Sequence, residues 1–384
     1  MNFTGINLDL QGVMRRTYEN LLYRSSFTNF LNRAFMEVAR STGVPMIEVI
    51  KQTDTPLTVR EGVEINNPVT SSLATYDSVK VDLSQLAMDY SFRISPLMIG
   101  SSIENALQGQ IDRKDSQVAF QIDKFGYNKF NTTITGPADG SMAYTNGQCA
   151  IWAPTTGEAT IELINDLKAL LFDRDVYDEY LLGLSSQAYA YYVSSLTSIL
   201  KYETRAGVEG VDAGQIAEAY GVSAFAINSN VLKNDEGKAT NVVGYFANEI
   251  GAVGDMFFSS MAQYLGNYPG YPGYYVLEGN ILFGADVVRP EAIIKLVESL
   301  PAVTAGSFDA GTKGSSYTQT TKFSGTDVAT FEAVGLPAGL TINPTSGQVT
   351  GTPTEEGSFP VSVYGIDAYG NYSAAFTGTI VISA

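Results

Sequence analysis

Between residues 98 and 131 apolar side chains return every three or four positions. Ile103, Leu107, Ile111, Val118, Ile122 and Phe125 fall on one stripe, the spacing of a helix face turned towards a core. Asp112, Arg113, Lys114 and Asp115 sit opposite, which predicts a solvated face. Pro96 closes the segment before it, and Ser101 with Glu104 has the spacing of a capping box. A helix of this length exceeds the needs of a small compact domain and predicts a subunit built on a spine.

The pattern on either side is different. In residues 1–45, Leu21, Leu22, Phe27, Phe30, Leu31, Phe35, Met36 and Val38 predict a short amphipathic helix in an N-terminal arm, stopped by Gly43 and Pro45. Within 53–94 the period drops to two, at Val79, Val81 and Leu83 and again at Met88, Tyr90, Phe92 and Ile94. With the polar stretch around residues 62–78, this predicts a long hairpin reaching beyond the body, useful for lying over a neighbouring subunit.

After the spine, helices are expected at 160–172 and 186–200, and strands at 179–184 and from Ala224 to beyond Ala226. The pattern over 248–264 reads as a strand passing into a helix, and NYPGYPGYY as a tight double Pro-Gly turn. Residues 301–316, rich in Gly, Ala, Ser and Thr, read as a linker. Beyond it the helical stripes disappear. Short alternating runs between turn residues, FPVSVYGI and FTGTIVI the clearest, predict a small β-sandwich. The chain is therefore expected to be α+β, followed by an all-β domain.

Composition changes this picture in three ways. Only 16% of the 384 residues are charged while 45% are hydrophobic, which favours a chain that covers itself with partners. The net charge of −17 argues against a dedicated nucleic-acid binder, although residues 1–60 carry seven basic and five acidic residues. The absence of histidine removes imidazole acid–base catalysis and Ser-His or Cys-His nucleophile pairs, and the single cysteine, Cys149, has no partner for an internal disulfide. The N-terminal stretch lacks a signal-peptide pattern and no apolar run approaches membrane-spanning length, so a soluble protein made in the cytoplasm is expected.

Candidate chemistry is sparse. Asp173, Asp175, Asp178 and Glu179 cluster after the helix expected at 160–172, but without the glycine turn and terminal glutamate of a calcium loop, so a solvated acidic turn is expected. Gly237-Lys238 lacks the rest of a phosphate loop, and residues 183–187 lack the final glycine of a nucleophile elbow. The expectation is a protein that is not an enzyme, with no catalytic, cofactor-binding or metal-binding residue.

Two resemblances give this frame a meaning. Over residues 79–300 the chain resembles the major capsid proteins of tailed bacteriophages, the family with the Hong Kong 97-type fold. The residues that carry it are YDSVKVDLSQLAMDYSFRIS before the spine helix, DVYDEYLLGLSSQAYAYYVSSL, GQIAEAYGVSAFAINSNVL, and LEGNILFGADVVRPEAIIKL with its Arg-Pro-Glu-Ala tetrapeptide. Over 331–371 the sequence resembles the bacterial and phage immunoglobulin-like repeat, through GLPAGL (335–340), GTP (351–353) and DAYG (367–370).

The first resemblance implies an N-arm (1–45), an extended β-hairpin loop (46–97), and a body (98–300). The body would comprise the spine helix (98–131), an axial domain (about 145–243) and a peripheral return (about 244–300). The linker (301–316) and the immunoglobulin-like domain (317–384) would follow. It further implies self-assembly as pentamers and hexamers into an icosahedral or prolate head shell around double-stranded DNA, in a virion assembled in the host cytoplasm, with a portal.

No segment ahead of the arm is long enough to match the scaffolding stretch that some members carry, so a separate scaffolding protein, or assembly without one, is expected. Lys80 is a candidate donor for the Lys–Asn cross-links of certain members, though a plain surface lysine is the simpler reading. The second resemblance implies an outward-facing domain for display or weak glycan adhesion, dispensable for the shell. The alternatives are an encapsulin-type nanocompartment and a bacterial surface adhesin.

Overall fold

The computed structural model describes residues 10–32, 46–52, 76–94, 103–134, 149–177, 179–203, 221–233 and 241–384. Among them the chain is mixed α+β and falls into two compact units.

The first unit takes residues 1–25, 31–122 and 252–288. It holds α1 (Leu10–Arg24), the strands β1 (Met46–Gln52), β2 (Tyr76–Asp82) and β3 (Leu86–Ile94), and the front of α2 (Ile103–Thr133). The β1 and β2 strands pair antiparallel, with Glu48 opposite Lys80. The β3 strand does not pair with β2, although the alternating pattern invites that hairpin. It runs antiparallel to β9 (Tyr271–Val287), which pairs on its other edge with β8 (Ala252–Tyr268).

These two 17-residue strands correct the strand-to-helix expectation for 248–264. The run AVGDMFFSSMAQY has apolar spacings that suit either period, and fifteen paired positions with β9 decide for the strand. At about 3.3 Å per residue the ribbon is roughly 55 Å long. The first Pro-Gly pair alone makes the turn, with Gly270 at φ 82°, while Pro272 lies opposite Asn267 inside the pairing. Ile47, Val49, Val81, Leu83, Val253 and Val288 make one buried cluster of this unit.

The second unit takes residues 26–30, 123–251 and 289–384. Its centre is a five-stranded mixed sheet in the order β4 (Cys149–Ile151), β10 (Ile293–Val297), β7 (Val242–Asn248), β5 (Tyr180–Ser185), β6 (Val222–Ile227). The outer pairs are parallel and the inner two antiparallel. On one face lie α3 (Gly157–Phe172) and α4 (Ser186–Glu203), closing a core of Trp152, Ile164, Leu167, Leu171, Leu182, Leu184, Tyr192, Leu196, Phe246, Ile294 and Leu296. Thr156 starts α3 by accepting the Ala159 amide at 3.1 Å. On the other face Phe27, Phe30, Tyr127, Phe130, Phe225 and Tyr245 form an aromatic cluster, mostly edge to face.

The arm helix therefore lies earlier than its apolar pattern suggests. Asp123 explains the stop after Arg24: its carboxylate accepts the Ser26 amide and hydroxyl at 3.2 and 3.0 Å and the Phe27 amide at 2.9 Å. The chain turns into a single 3-10 turn, Phe27–Phe30. Phe35, Met36 and Val38 lie outside the described residues.

The C-terminal sandwich belongs to the second unit. Its larger sheet has the order β12 (Gly311–Thr312), β19 (Phe376–Ser383), β18 (Gly357–Ile366), β15 (Thr330–Val334). The smaller is β13 (Tyr317–Thr318), β17 (Val349–Gly351), β16 (Leu340–Ile342). Tyr317, Phe323, Phe331, Leu340, Val349, Val361, Val363, Ile380 and Ile382 fill the space between. The stretch read as a linker is built into this domain. The strand β11 (Ala302–Ala305) pairs with β14 (Ser324–Thr326), and β12 pairs with β19. Small polar residues suit a short edge strand as well as a loop, and here partner strands settle the matter.

Candidate functional site

Among the described residues no group of three or more Asp, Glu or Cys side chains is placed to hold a metal ion. Asp173, Asp175 and Glu179 lie on the turn after α3. The Asp175 carboxylate accepts the Tyr177 hydroxyl at 2.8 Å, and Asp178 lies outside the described residues. Residues 183–187 do sit at a strand-to-helix junction, yet Ser185 accepts the Ala188 amide and Ser186 donates to the Ile227 carbonyl, both structural tasks. Gly237, Lys238, Ser101 and the polar stretch between β1 and β2 lie outside the described residues. Lys80 is exposed and 3.9 Å from the Glu48 carboxylate on the paired strand.

What the structure presents is a set of surfaces and the fastenings beneath them. At the ribbon tip Tyr264, Tyr268, Tyr271 and Tyr274 form a chain of ring contacts, with centroids 5.0, 6.2 and 6.0 Å apart. The Arg93 guanidinium lies 4.1 Å over the Tyr271 ring. The Tyr264 and Tyr268 hydroxyls donate to the Glu278 carboxylate, which holds both phenols above their usual range. Phe172, 59% exposed, meets the exposed Tyr177 ring edge-on at 4.9 Å. Tyrosine, arginine and phenylalanine are residue types that protein interfaces favour. No helix among the described residues is long and apolar enough to cross a membrane.

The fastenings centre on carboxylates that the sequence pattern hides. Asp115 is fully buried rather than solvated, and accepts Asn20 Nδ2 at 2.9 Å and the Tyr90 hydroxyl at 3.1 Å. Arg24 adds bonds to the Asp112 carbonyl and carboxylate at 3.0 and 3.2 Å. Tyr18 donates to the buried Asp255 at 2.9 Å. These bonds secure α1 to its own unit. Met14, Tyr18, Leu83, Asp255, Met256 and Phe258 line a cavity of about 370 Å³ beside it.

Burial raises the Asp115 carboxyl, against the lowering effect of Asn20, Tyr90 and Arg24. A carboxyl held above its unfolded value of 3.8 gives stability that is complete below pH 3.8 and is lost as pH rises through the folded value. Asp115→Asn should remove that part of the pH dependence. Urea midpoints measured from pH 3.5 upward would then fall less steeply for the variant, and parallel curves would refute the assignment.

Arg289-Pro290-Glu291-Ala292 forms a tight turn into β10. Arg289 Nε donates to the Glu291 carboxylate at 2.9 Å, Arg174 to the Glu291 carbonyl at 3.0 Å, and Ala292 is buried.

Residues 297–383 match the family model described as "Putative Ig domain". No curated protein matches the chain. Solved structures similar to it include one from Mycobacterium phage Che8, at 14% identity and a TM-score of 0.48 over 71% of this chain and 90% of that one. The capsid of cyanophage P-SCSP1u aligns at 12% identity and TM-score 0.46, covering 66% and 83%. The mature capsid of bacteriophage PhiM1 aligns at 11% and 0.40, covering 66% and 82%. Two of these three structures are phage capsids by description, and the family model covers only the C-terminal segment of this chain.

Proposed function

We propose that this protein is a structural subunit, not an enzyme: the major capsid protein of a tailed bacteriophage, assembling as pentamers and hexamers into the shell that encloses double-stranded DNA. The observation that carries the reading is the order of elements along the chain. A two-stranded ribbon, β1–β2, precedes a 31-residue helix. A mixed sheet with two covering helices follows, and a long ribbon returns through the Arg-Pro-Glu-Ala turn into the central sheet. This is the order that the sequence resemblance to Hong Kong 97-type subunits implies.

In this reading the five-stranded sheet and its helices form the axial domain, and the β3-β9-β8 sheet the peripheral one. Subunit contacts fall to the tyrosine-lined ribbon tip, the Phe172–Tyr177 pair and the segment between β1 and β2. Each contact is modest, and a subunit held by several neighbours gains from their simultaneity. A chain at net −17 suits a wall along which packaged DNA slides without being held. The immunoglobulin-like domain faces outward and serves display or weak surface adhesion.

The test is electron microscopy of the full chain, expressed alone and with a candidate scaffolding protein. A C-terminal tag is reached by gold particles added to intact shells. Closed shells with gold on the outside are expected. Monomers under every condition would overturn the shell reading, and gold bound only after the shells are broken would overturn the outward placement alone.

A further inference from the structure

The immunoglobulin-like domain touches the central sheet through one of its own signature turns. Asn241, just before β7, accepts the Glu298 amide at its carbonyl at 2.8 Å, tying the ends of β7 and β10 together. Its Nδ2 donates to the Ser299 carbonyl at 3.0 Å and to the Asp367 carboxylate at 3.2 Å. Its Oδ1 accepts Asn371 Nδ2 at 2.9 Å, and that same Nδ2 donates to Asp367 at 2.9 Å. The other Asp367 oxygen accepts the amides of Tyr369 and Asn371, both at 2.8 Å. Asp367 opens the DAYG turn of the immunoglobulin-like repeat. Asn371 is fully buried, and its Oδ1 has no hydrogen-bond partner.

The sheet beside this knot contains an unusual residue. Lys295 occupies the middle of β10, where all five residues are buried, and is itself 2% exposed. Register puts it on the face shared by Cys149 and Tyr245. Lysine is almost never buried without compensation. Burial lowers its ammonium, while Cys149 and Asp367 act in the opposite direction and favour the charged form. Of these two, Asp367 is the carboxylate, and it comes from the C-terminal domain.

We propose that the immunoglobulin-like domain is no loosely tethered appendage but an integral part of the central fold, clamped through Asn241, Asp367 and Asn371. The domain is then displayed in one fixed pose, and the sheet depends on it. This revises the expectation that the domain is dispensable, and it holds whether or not copies assemble.

The test is a double-mutant cycle in the full, unassembled chain: wild type, Asn241→Ala, Asn371→Ala and the double variant. Urea unfolding is followed by the fluorescence of the single tryptophan, Trp152, which lies in the core of the central sheet. With Asn241 in place, Asn371→Ala should lower the folding equilibrium constant by about tenfold. When the same substitution is made in the Asn241→Ala variant the loss should be several-fold smaller, because the hydrogen bond that joins the two side chains is already gone. Equal effects in both backgrounds would overturn the clamp.

A second measurement keeps the clamp testable if an Asn371 variant fails to fold. Hydrogen exchange in the wild-type chain should open β10 and β18 in one cooperative event, and Asn241→Ala should separate them, with β10 exchanging faster. Independent opening in the wild type would overturn the clamp.

Discussion

Gly244→Ala is expected to leave little soluble native protein. Gly244 lies in β7, where every residue is buried, between β10 and β5. A Cβ there would stand 2.0 Å from the Gly183 carbonyl oxygen and 3.0 Å from the Leu184 Cα. Both obstacles are backbone, so no side-chain rotation relieves the clash. The atoms belong to the ladder that pairs residues 180–184 with 244–248, and moving them parts two central strands. Overpacking a core commonly costs about 1–3 kcal/mol and more where the backbone must shift. Against a total of about 5–15 kcal/mol, breaking the middle of the sheet is expected to take most of the margin. The measurement is the soluble fraction on expression, with the urea midpoint of whatever is recovered. A midpoint equal to wild type would mean that β5 and β7 do not approach so closely.

The same sheet shows what the sequence makes legible and what it hides. The spine helix is legible because its stripe keeps one period over many turns. The sandwich is legible because Pro and Gly mark its corners, with Gly335, Gly339 and Gly370 at φ 84°, 92° and 81° where the GLPAGL and DAYG turns need them. Such signals are local.

Asp115 and Asp123 carry no such signal. On a helical wheel they count as polar, and what buries them is a set of donors roughly a hundred positions earlier: Asn20 for one, Ser26 and Phe27 for the other. Lys295 stands inside the apolar run IIKLV, where an isolated lysine ordinarily marks an exposed position. The Asp367 carboxylate that favours its charged form lies in the C-terminal domain. The β8 segment reads partly as helix because its apolar spacing fits both periods, and only the presence of β9 decides between them. In each case the missing information is a tertiary partner that no window along the chain contains.

Phe30→Ala is the second large effect, and it measures how firmly the arm's 3-10 turn is held to the central sheet. Phe30 is buried with ring centroids 5.1 Å from Phe225, 5.5 Å from Phe130, 6.1 Å from Tyr127 and 6.4 Å from Tyr245. It lies over Gly183, whose missing side chain leaves it room: a Cβ there would come within 2.8 Å of the Phe30 ring. Phe27 uses Gly126 in the same way, at 2.2 Å. Truncating a buried Phe to Ala costs about 3–5 kcal/mol when the surroundings do not collapse into the space. Here they are rings packed on one another and on a strand, which leaves them little freedom to move. Phe172→Ala removes the same ring from an exposed position and should change monomer stability by less than about 0.5 kcal/mol. Urea unfolding of the two variants side by side separates burial from residue type. A small loss for Phe30→Ala would show that the turn is held mainly by its other fastenings, the Asp123 carboxylate and the Phe27 ring among them.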